Sequence, residues 1–179
     1  GRRPLRADDP VAPDTAYGRT KLAGERAVAD SGARAAIVRT AWVFSGPTQP
    51  EASDFVSTML RLEERGGDID VVDDQHGNPT FVDDLADAAL WLMEHYDSPE
   101  LVNVGVGEDV SIAELAELIR SIVGYDGTIE YDRTKPDGTP RKLLDVSKLH
   151  SLGWRHRIGL RKGIESTYAW YLEHAGHRR

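Results

Sequence analysis

The stretch "DTAYGRTKLAGERAVADSGARAAIVRT", residues 14–40, decides the fold class. Its first part reads as a helix from about Thr15 to Asp30, and the apolar run "ARAAIVRT" that ends at Thr40 reads as a strand. Such a helix leading straight into an apolar strand is the rhythm of an α/β chain.

The pattern continues outward. After Ser53, Phe55, Val56, Met59 and Leu60 fall at helical spacing, and "IDVVDD" reads as a strand leading into the loop "QHGNPTF", which holds Gly77 and Pro79. In "VDDLADAALWLMEHY" the residues Val82, Leu85, Ala89, Leu92, Met93 and Tyr96 predict one apolar helical stripe, and "LVNVGV" predicts another strand. Ser111 with Glu114 forms a capping box ahead of "IAELAELIRSIVG", and Gly124 marks the stop. "TIEYD" reads as a short strand, "KPDGTPRK" as a loop, and "LRKGIESTYAWYLEH" as a last amphipathic helix. Strands alternating with helices predict a parallel or mostly parallel sheet. Only about three strong strands stand out, fewer than a complete doubly wound sheet has, and the chain opens on a loop-like segment. The sequence therefore reads as the later part of a larger α/β fold, with late elements forming a small lobe.

Composition narrows the function classes. With 179 residues and 40 % hydrophobic content the chain supports one sizeable core. Lys and Arg number 22 against 30 Asp and Glu, a net charge of −8, which argues against a nucleic-acid groove or an anionic membrane as partner. Cysteine is absent, which removes disulfides, thiolate metal sites and cysteine nucleophiles and is compatible with a reducing compartment. No apolar run approaches a membrane span and residues 1–13 lack the apolar core of a signal peptide, so a cytoplasmic protein is expected. The six histidines, at 76, 95, 150, 156, 174 and 177, show no compact spacing with carboxylates, so no metal is expected.

Chemistry concentrates first at Tyr17 and Lys21, four apart on one helix face. At about 5 Å and an effective dielectric near 20, an ammonium favours a phenolate by about 3 kcal/mol. A tyrosine so placed can exchange a proton near neutrality. Gly18 would then keep the approach to Tyr17 open. The spacing alone is a weak signal and reads first as a core tyrosine beside a solvated lysine. "GVGEDV", residues 105–110, begins as G-x-G but has Val110 where a third glycine would stand, and reads as a strand end leading to a capped helix. Asp83 and Asp84 lie in a first helical turn, where negative charge suits the macrodipole, and read as structural instead of catalytic.

The string "YGRTKLAGE", residues 17–25, resembles the active-site helix of the extended short-chain dehydrogenase/reductase superfamily, which combines this tyrosine and lysine with an early glycine and a nearby "GE". The resemblance implies a Rossmann-like fold with NADPH or NADH as cofactor. It makes Tyr17 the general acid that protonates a carbonyl oxygen, and Lys21 the holder of the nicotinamide ribose, so that both touch the cofactor. The family's earlier Ser or Thr and its Gly-rich pyrophosphate turn are not found in these 179 residues, which alone read as catalytically incomplete. Residues 1–100 would be the C-terminal part of the Rossmann-like domain and 101–179 mainly a nucleotide-sugar-binding lobe, with elements free to interleave.

Within that superfamily, "RTAWVFSG" at 39–46 resembles the "RT-x-W-V" of dTDP-4-dehydrorhamnose reductases. This places Thr40 and Ala41 beside the nicotinamide and Trp42 in the sugar pocket, although a tryptophan there also reads as core filling. "DFVSTML" with Phe55, and "VVDDQHGNPTFVDDLA" with Gln75, Pro79 and Thr80, carry the same likeness and add substrate contacts. Farther on, "KPDGTPRKLLDVSKLHSLGW" and "STYAWYLEH" resemble the C-terminal end of GDP-L-fucose synthases. Adjacent Arg141 and Lys142 suit a diphosphate clamp, since guanidinium offers paired donors and ammonium a mobile charge; a solvated loop is the alternative. The epimerase chemistry of fucose synthases uses a cysteine and a histidine, so the absence of cysteine favours plain reduction.

The expected activity is NAD(P)H-dependent reduction of a nucleotide-diphospho-4-keto-6-deoxysugar, most like dTDP-4-dehydrorhamnose reductase of dTDP-L-rhamnose biosynthesis. A GDP-L-fucose synthase-like reductase and a nucleotide-sugar-binding fragment without redox activity are the alternatives, and a homodimer is compatible with either.

Overall fold

Thr15 starts the first helix: its hydroxyl accepts the Gly18 N–H at 3.0 Å, and α1 spans Ala16–Asp30. The computed structural model describes residues 3–44, 54–72, 75–95, 100–132 and 141–175, together with the side chains there apart from those of Arg141, Lys142 and Ala175. In chain order, β1 (Ala36–Arg39) and β2 (Val43–Phe44) follow α1, and Asp54 caps α2 (Phe55–Arg65). Next come β3 (Ile69–Val72), β4 (His76–Gly77), β5 (Thr80–Phe81), α3 (Val82–His95), β6 (Glu100–Asn103) and β7 (Val110–Ser111). The chain continues with α4 (Ile112–Val123), β8 (Ile129–Asp132), β9 (Arg141–Lys142), α5 (Ser147–Leu152) and α6 (Leu160–Ala175). The Ser111–Glu114 capping box is formed in both directions, and Gly124 ends α4 in the left-handed conformation with φ 79°.

Pairing is mostly parallel, as an α/β chain requires. β1 pairs with β6, β2 with β5 and β3 with β8, all parallel, while β4 lies between antiparallel β7 and parallel β9. The larger core gathers Val56, Met59 and Leu60 of α2, Ile112, Leu115 and Ile119 of α4, and Ile69, Val71 and Ile129 of the β3–β8 pair. These positions repeat at three and four residues on the helices and at two on β3, so each element turns one apolar face inward. Each such aliphatic side chain contributes about 1.5–3 kcal/mol on burial. A second core joins Ala88 and Leu92 of α3, Val102 and Val104 at β6, Leu149 of α5, and Trp154. No helix among the described residues is long and apolar enough to cross a membrane.

Three local readings change. "QHGNPTF", expected as a loop, holds the two-residue strands β4 and β5, too short to leave an alternation in the sequence. Arg141 and Lys142, read as the end of a loop, form β9. The inward stripe of α3 is Asp84, Ala88 and Leu92, with Leu85 and Trp91 partly buried, whereas Met93 is 68 % exposed. The Asp84 carboxylate causes this rotation: it accepts the backbone N–H groups of Arg157 and Ile158, both at 3.1 Å, and so turns a charged residue into the interior. Tyr96, assigned to the same stripe, lies outside the described residues.

The loop-like opening segment is a strap. Leu5 bridges to Leu144, with Leu5 N–H donating to Leu143 O at 2.9 Å and Asp145 N–H to Leu5 O at 2.8 Å. Buried Asn103 donates to both Leu5 O (2.7 Å) and Asp145 O (3.1 Å). Arg3, at 2.7 Å, and the Arg6 N–H hold the Asp9 carboxyl down to about 2, which steadies the turn of the strap.

Candidate active site

Tyr17 stands at the start of α1 with its side chain in solvent, 73 % exposed, and the Lys21 ammonium lies 5.5 Å from the centre of its ring. The i, i+4 spacing thus produces a cation–π contact on a face that no described residue covers. Indeed α1 has no buried residue along its whole length. Gly18 has a packing cause: a Cβ there would lie 2.7 Å from Pro13 Cβ and 3.1 Å from Thr15 Oγ1. The close approach of the strap and the helix cap is sufficient to require the glycine, which also lines the cavity beside the helix.

One turn on, Lys21 and Glu25 face a cavity of about 380 Å³ between α1 and the strap, whose wall includes Arg39 and Asn103 but not Tyr17. Glu25 accepts two hydrogen bonds from the Arg39 guanidinium, at 2.7 and 2.6 Å, and Arg39 also donates to Ala7 O at 3.0 Å. The Arg39 bonds hold the Glu25 carboxyl below the usual range against the opposing effect of burial. A group depressed in this way contributes stability that is full above the ordinary carboxyl range and is lost as the pH falls through its folded value. Glu25→Gln is therefore expected to lower stability by about 1 kcal/mol at pH 7. In thermal melts the gap to wild type should close as the pH is taken below 4.5. A gap unchanged by acid would remove the ionic role.

In a second place, Trp42, Phe55, Gln75 and Pro79 converge on a cavity of about 190 Å³ that Ile112 and Leu115 also line. Four positions scattered over almost forty residues of sequence are thus brought to one place by the β2–β5 pairing and the start of α2. Trp42 has φ 45°, a left-handed conformation rare for a bulky side chain, and its carbonyl accepts the Thr80 N–H at 3.2 Å. Thr80 itself is buried in β5, its hydroxyl donating to Asn78 O at 3.3 Å, and it does not line this cavity. Thr40 and Ala41 sit at the carboxyl end of β1, and the Thr40 hydroxyl is buried with no hydrogen-bond partner among the described residues. Arg141 and Lys142 run beside His76 and Gly77 in β9, and their side chains lie outside the described part, as do residues 135–140 of their loop. Among the described residues no group of three His, Asp or Glu is placed to hold a metal.

Residues 1–151 match the family described as the RmlD substrate binding domain. The chain belongs to this family. The match takes in α1, the Trp42 cavity and β9, leaving only α6 and the segment before it outside. Putative GDP-L-fucose synthase 2 of Arabidopsis thaliana is 49 % identical over 131 residues, 69 % of this chain and 40 % of that protein. The dTDP-4-dehydrorhamnose reductase of Mycobacterium tuberculosis (strain CDC 1551 / Oshkosh) is 51 % identical over 92 residues, 51 % of this chain and 29 % of that protein. Among solved structures, the dTDP-4-dehydrorhamnose reductase from Bacillus anthracis str. Ames in complex with NADP superposes with a TM-score of 0.81 at 26 % identity, covering 92 % of this chain and 58 % of that one. The RmlD-family chain thus spans less than half the length of the curated relatives it matches.

Sequence reasoning missed three features around the candidate site. The Glu25–Arg39 pair was within reach only as the "GE" of the superfamily likeness. Asn103 looked like any polar residue at a strand end. Gly77 had a signal, a lone glycine beside Asn-Pro in a stretch between strands, which marks close backbone approach.

Proposed function

We propose that the chain is the substrate-side part of an NAD(P)H-dependent reductase acting on a nucleotide-diphospho-4-keto-6-deoxysugar. The observation that carries this reading is the exposed Tyr17 phenol with the Lys21 ammonium against its ring, on a helix face free to meet a ligand. Membership of the RmlD substrate binding domain family, and relatives named as sugar-nucleotide reductases and synthases, support it.

The residues present suit a nicotinamide cofactor. Lys21 would hydrogen-bond the ribose hydroxyls, and the Thr40 hydroxyl, buried without a partner among the described residues, stands with Ala41 at the carboxyl end of β1, the edge where open α/β sheets take ligands. When bound, that cofactor supplies hydride. This chain supplies the proton: Tyr17 donates it to the carbonyl oxygen as negative charge grows there, and the adjacent Lys21 cation stabilises the phenolate left behind. Trp42, Phe55 and Pro79 give the sugar an apolar wall, Gln75 offers an amide to its hydroxyls, and Thr80 holds Trp42 in place through its N–H. Arg141 and Lys142 would grip the diphosphate. In this reading residues 1–100 carry the catalytic helix and 101–179 form mainly the nucleotide-sugar lobe, interleaved through the β1–β6 pair.

For the nucleotide we favour dTDP, on the "RTAWV" string around Trp42; the 49 % identity to the putative GDP-L-fucose synthase favours GDP as the second reading. Melting the 179-residue chain with each ligand decides between them. With both ligands at one concentration, a hundredfold above the Kd for dTDP-L-rhamnose, that ligand should raise the melting temperature by about 5–10 °C, with a smaller rise for GDP-L-fucose. A larger rise with GDP-L-fucose selects the second reading, and no rise with either defeats both.

A further inference from the structure

The sugar cavity has a wall whose position depends on a residue that does not line it. Gly77 is buried in β4, the middle strand of β7–β4–β9, in register with Val110 on one side and Lys142 on the other. The Trp42 indole rests on its Cα. A Cβ built on Gly77 would come within 2.2 Å of Cε2, 2.4 Å of Cδ2 and 2.5 Å of Cζ2 of that ring, where real Cβ atoms stay beyond 3.0 Å. Neither backbone has room to yield. Gly77 is paired on both edges, and Trp42 is fixed at φ 45° by its bond from Thr80 and by the Val43–Thr80 register that follows. A bulky residue stays in that conformation only where its surroundings over-determine it.

We propose that Gly77 is a specificity-determining residue: by lacking a side chain it seats the Trp42 indole as the wall against which the sugar ring packs. The proposal rests on the nucleotide-sugar reading above. A Cβ at position 77 would force the indole off its seat and into or away from the cavity, so the effect falls on the sugar and not on the nucleotide. The indole face offers no hydrogen-bond partner, which suits the C–H face and methyl group of a deoxysugar.

The test is a comparison of wild type, Gly77→Ala, Trp42→Ala and the double variant. Gly77→Ala should lower the melting temperature by about 3–8 °C in the wild-type background, the size expected of an overpacked interior. In the Trp42→Ala background the same change should cost no more than about 1 °C, because the atoms it collides with are gone. Calorimetry then compares dTDP-L-rhamnose with dTDP, and GDP-L-fucose with GDP. Gly77→Ala should reduce the affinity gained from the sugar by about tenfold and leave the bare diphosphate unchanged. Equal melting losses in both backgrounds would overturn the proposal, as would equal weakening of sugar nucleotide and bare diphosphate. If wild type gains nothing from either sugar, the nucleotide-sugar reading falls and the specificity role with it, while the melting comparison still decides whether Gly77 seats the indole.

Discussion

Replacing Tyr17 with phenylalanine should lower turnover by a factor of about 10²–10⁴ in the full-length protein that carries these residues, with nucleotide-sugar affinity held within about twofold. The substitution removes one oxygen from a ring that is 73 % exposed, so no packing is lost and the fold should melt at the wild-type temperature. The Lys21 ammonium keeps its contact with the ring, which survives in phenylalanine. What disappears is the proton donor proposed above. The split between a large loss in kcat and little change in binding is therefore diagnostic of an interaction made as charge develops on the carbonyl oxygen. Turnover within a factor of ten of wild type would show that another group delivers the proton, and a lower melting temperature would show that the hydroxyl serves the fold.

The second large effect is on stability. Asp84→Ala should cost about 2–4 kcal/mol, or about 6–12 °C of melting temperature, because it strands two partly buried backbone N–H groups. The carboxylate is 5 % exposed and is the acceptor for both Arg157 and Ile158 N–H. Its neighbour one turn on, Asp87, accepts the Trp154 indole N–H at 2.9 Å, so the start of α3 anchors the whole 154–158 segment ahead of α6. Asp83 is exposed in the same turn and contributes only through the helix dipole, so Asp83→Ala should cost less than about 1 kcal/mol. Urea unfolding of the two variants measures the contrast. Equal losses would mean that helix-end charge, and not the buried acceptor, holds the segment.

These two residues also mark what can be read from a sequence. Local signals were legible: the Ser111–Glu114 box and the Gly124 stop each lie within a few residues of the groups they satisfy. Periodicity placed α2 and α4 correctly, since their apolar faces repeat without interruption. It failed on α3, where the partners of Asp84 are more than seventy residues away and leave no trace in the helix's own pattern. Pairings two residues long, as in β2, β4, β5, β7 and β9, are beyond any alternation test. At the site, Tyr17 and Lys21 could be found from spacing and likeness together. The convergence of Trp42, Phe55, Gln75 and Pro79 rested on likeness alone, and the role of Gly77 needed the position of the Trp42 ring, 35 residues earlier, which chain order does not give.

The narrow β7–β4–β9 sheet joins pieces from three distant points of the chain, and it does so with only two residues from each. Its middle strand supports the tryptophan, and its outer parallel strand ends the loop assigned to the diphosphate. Chimeras that exchange the segment ending at Lys142 between family members will therefore also alter the lateral support of residue 77. Grip on the diphosphate and preference for the hexose should then travel as one inherited trait, and attempts to recombine them separately will have to carry His76 and Gly77 along with the donor loop.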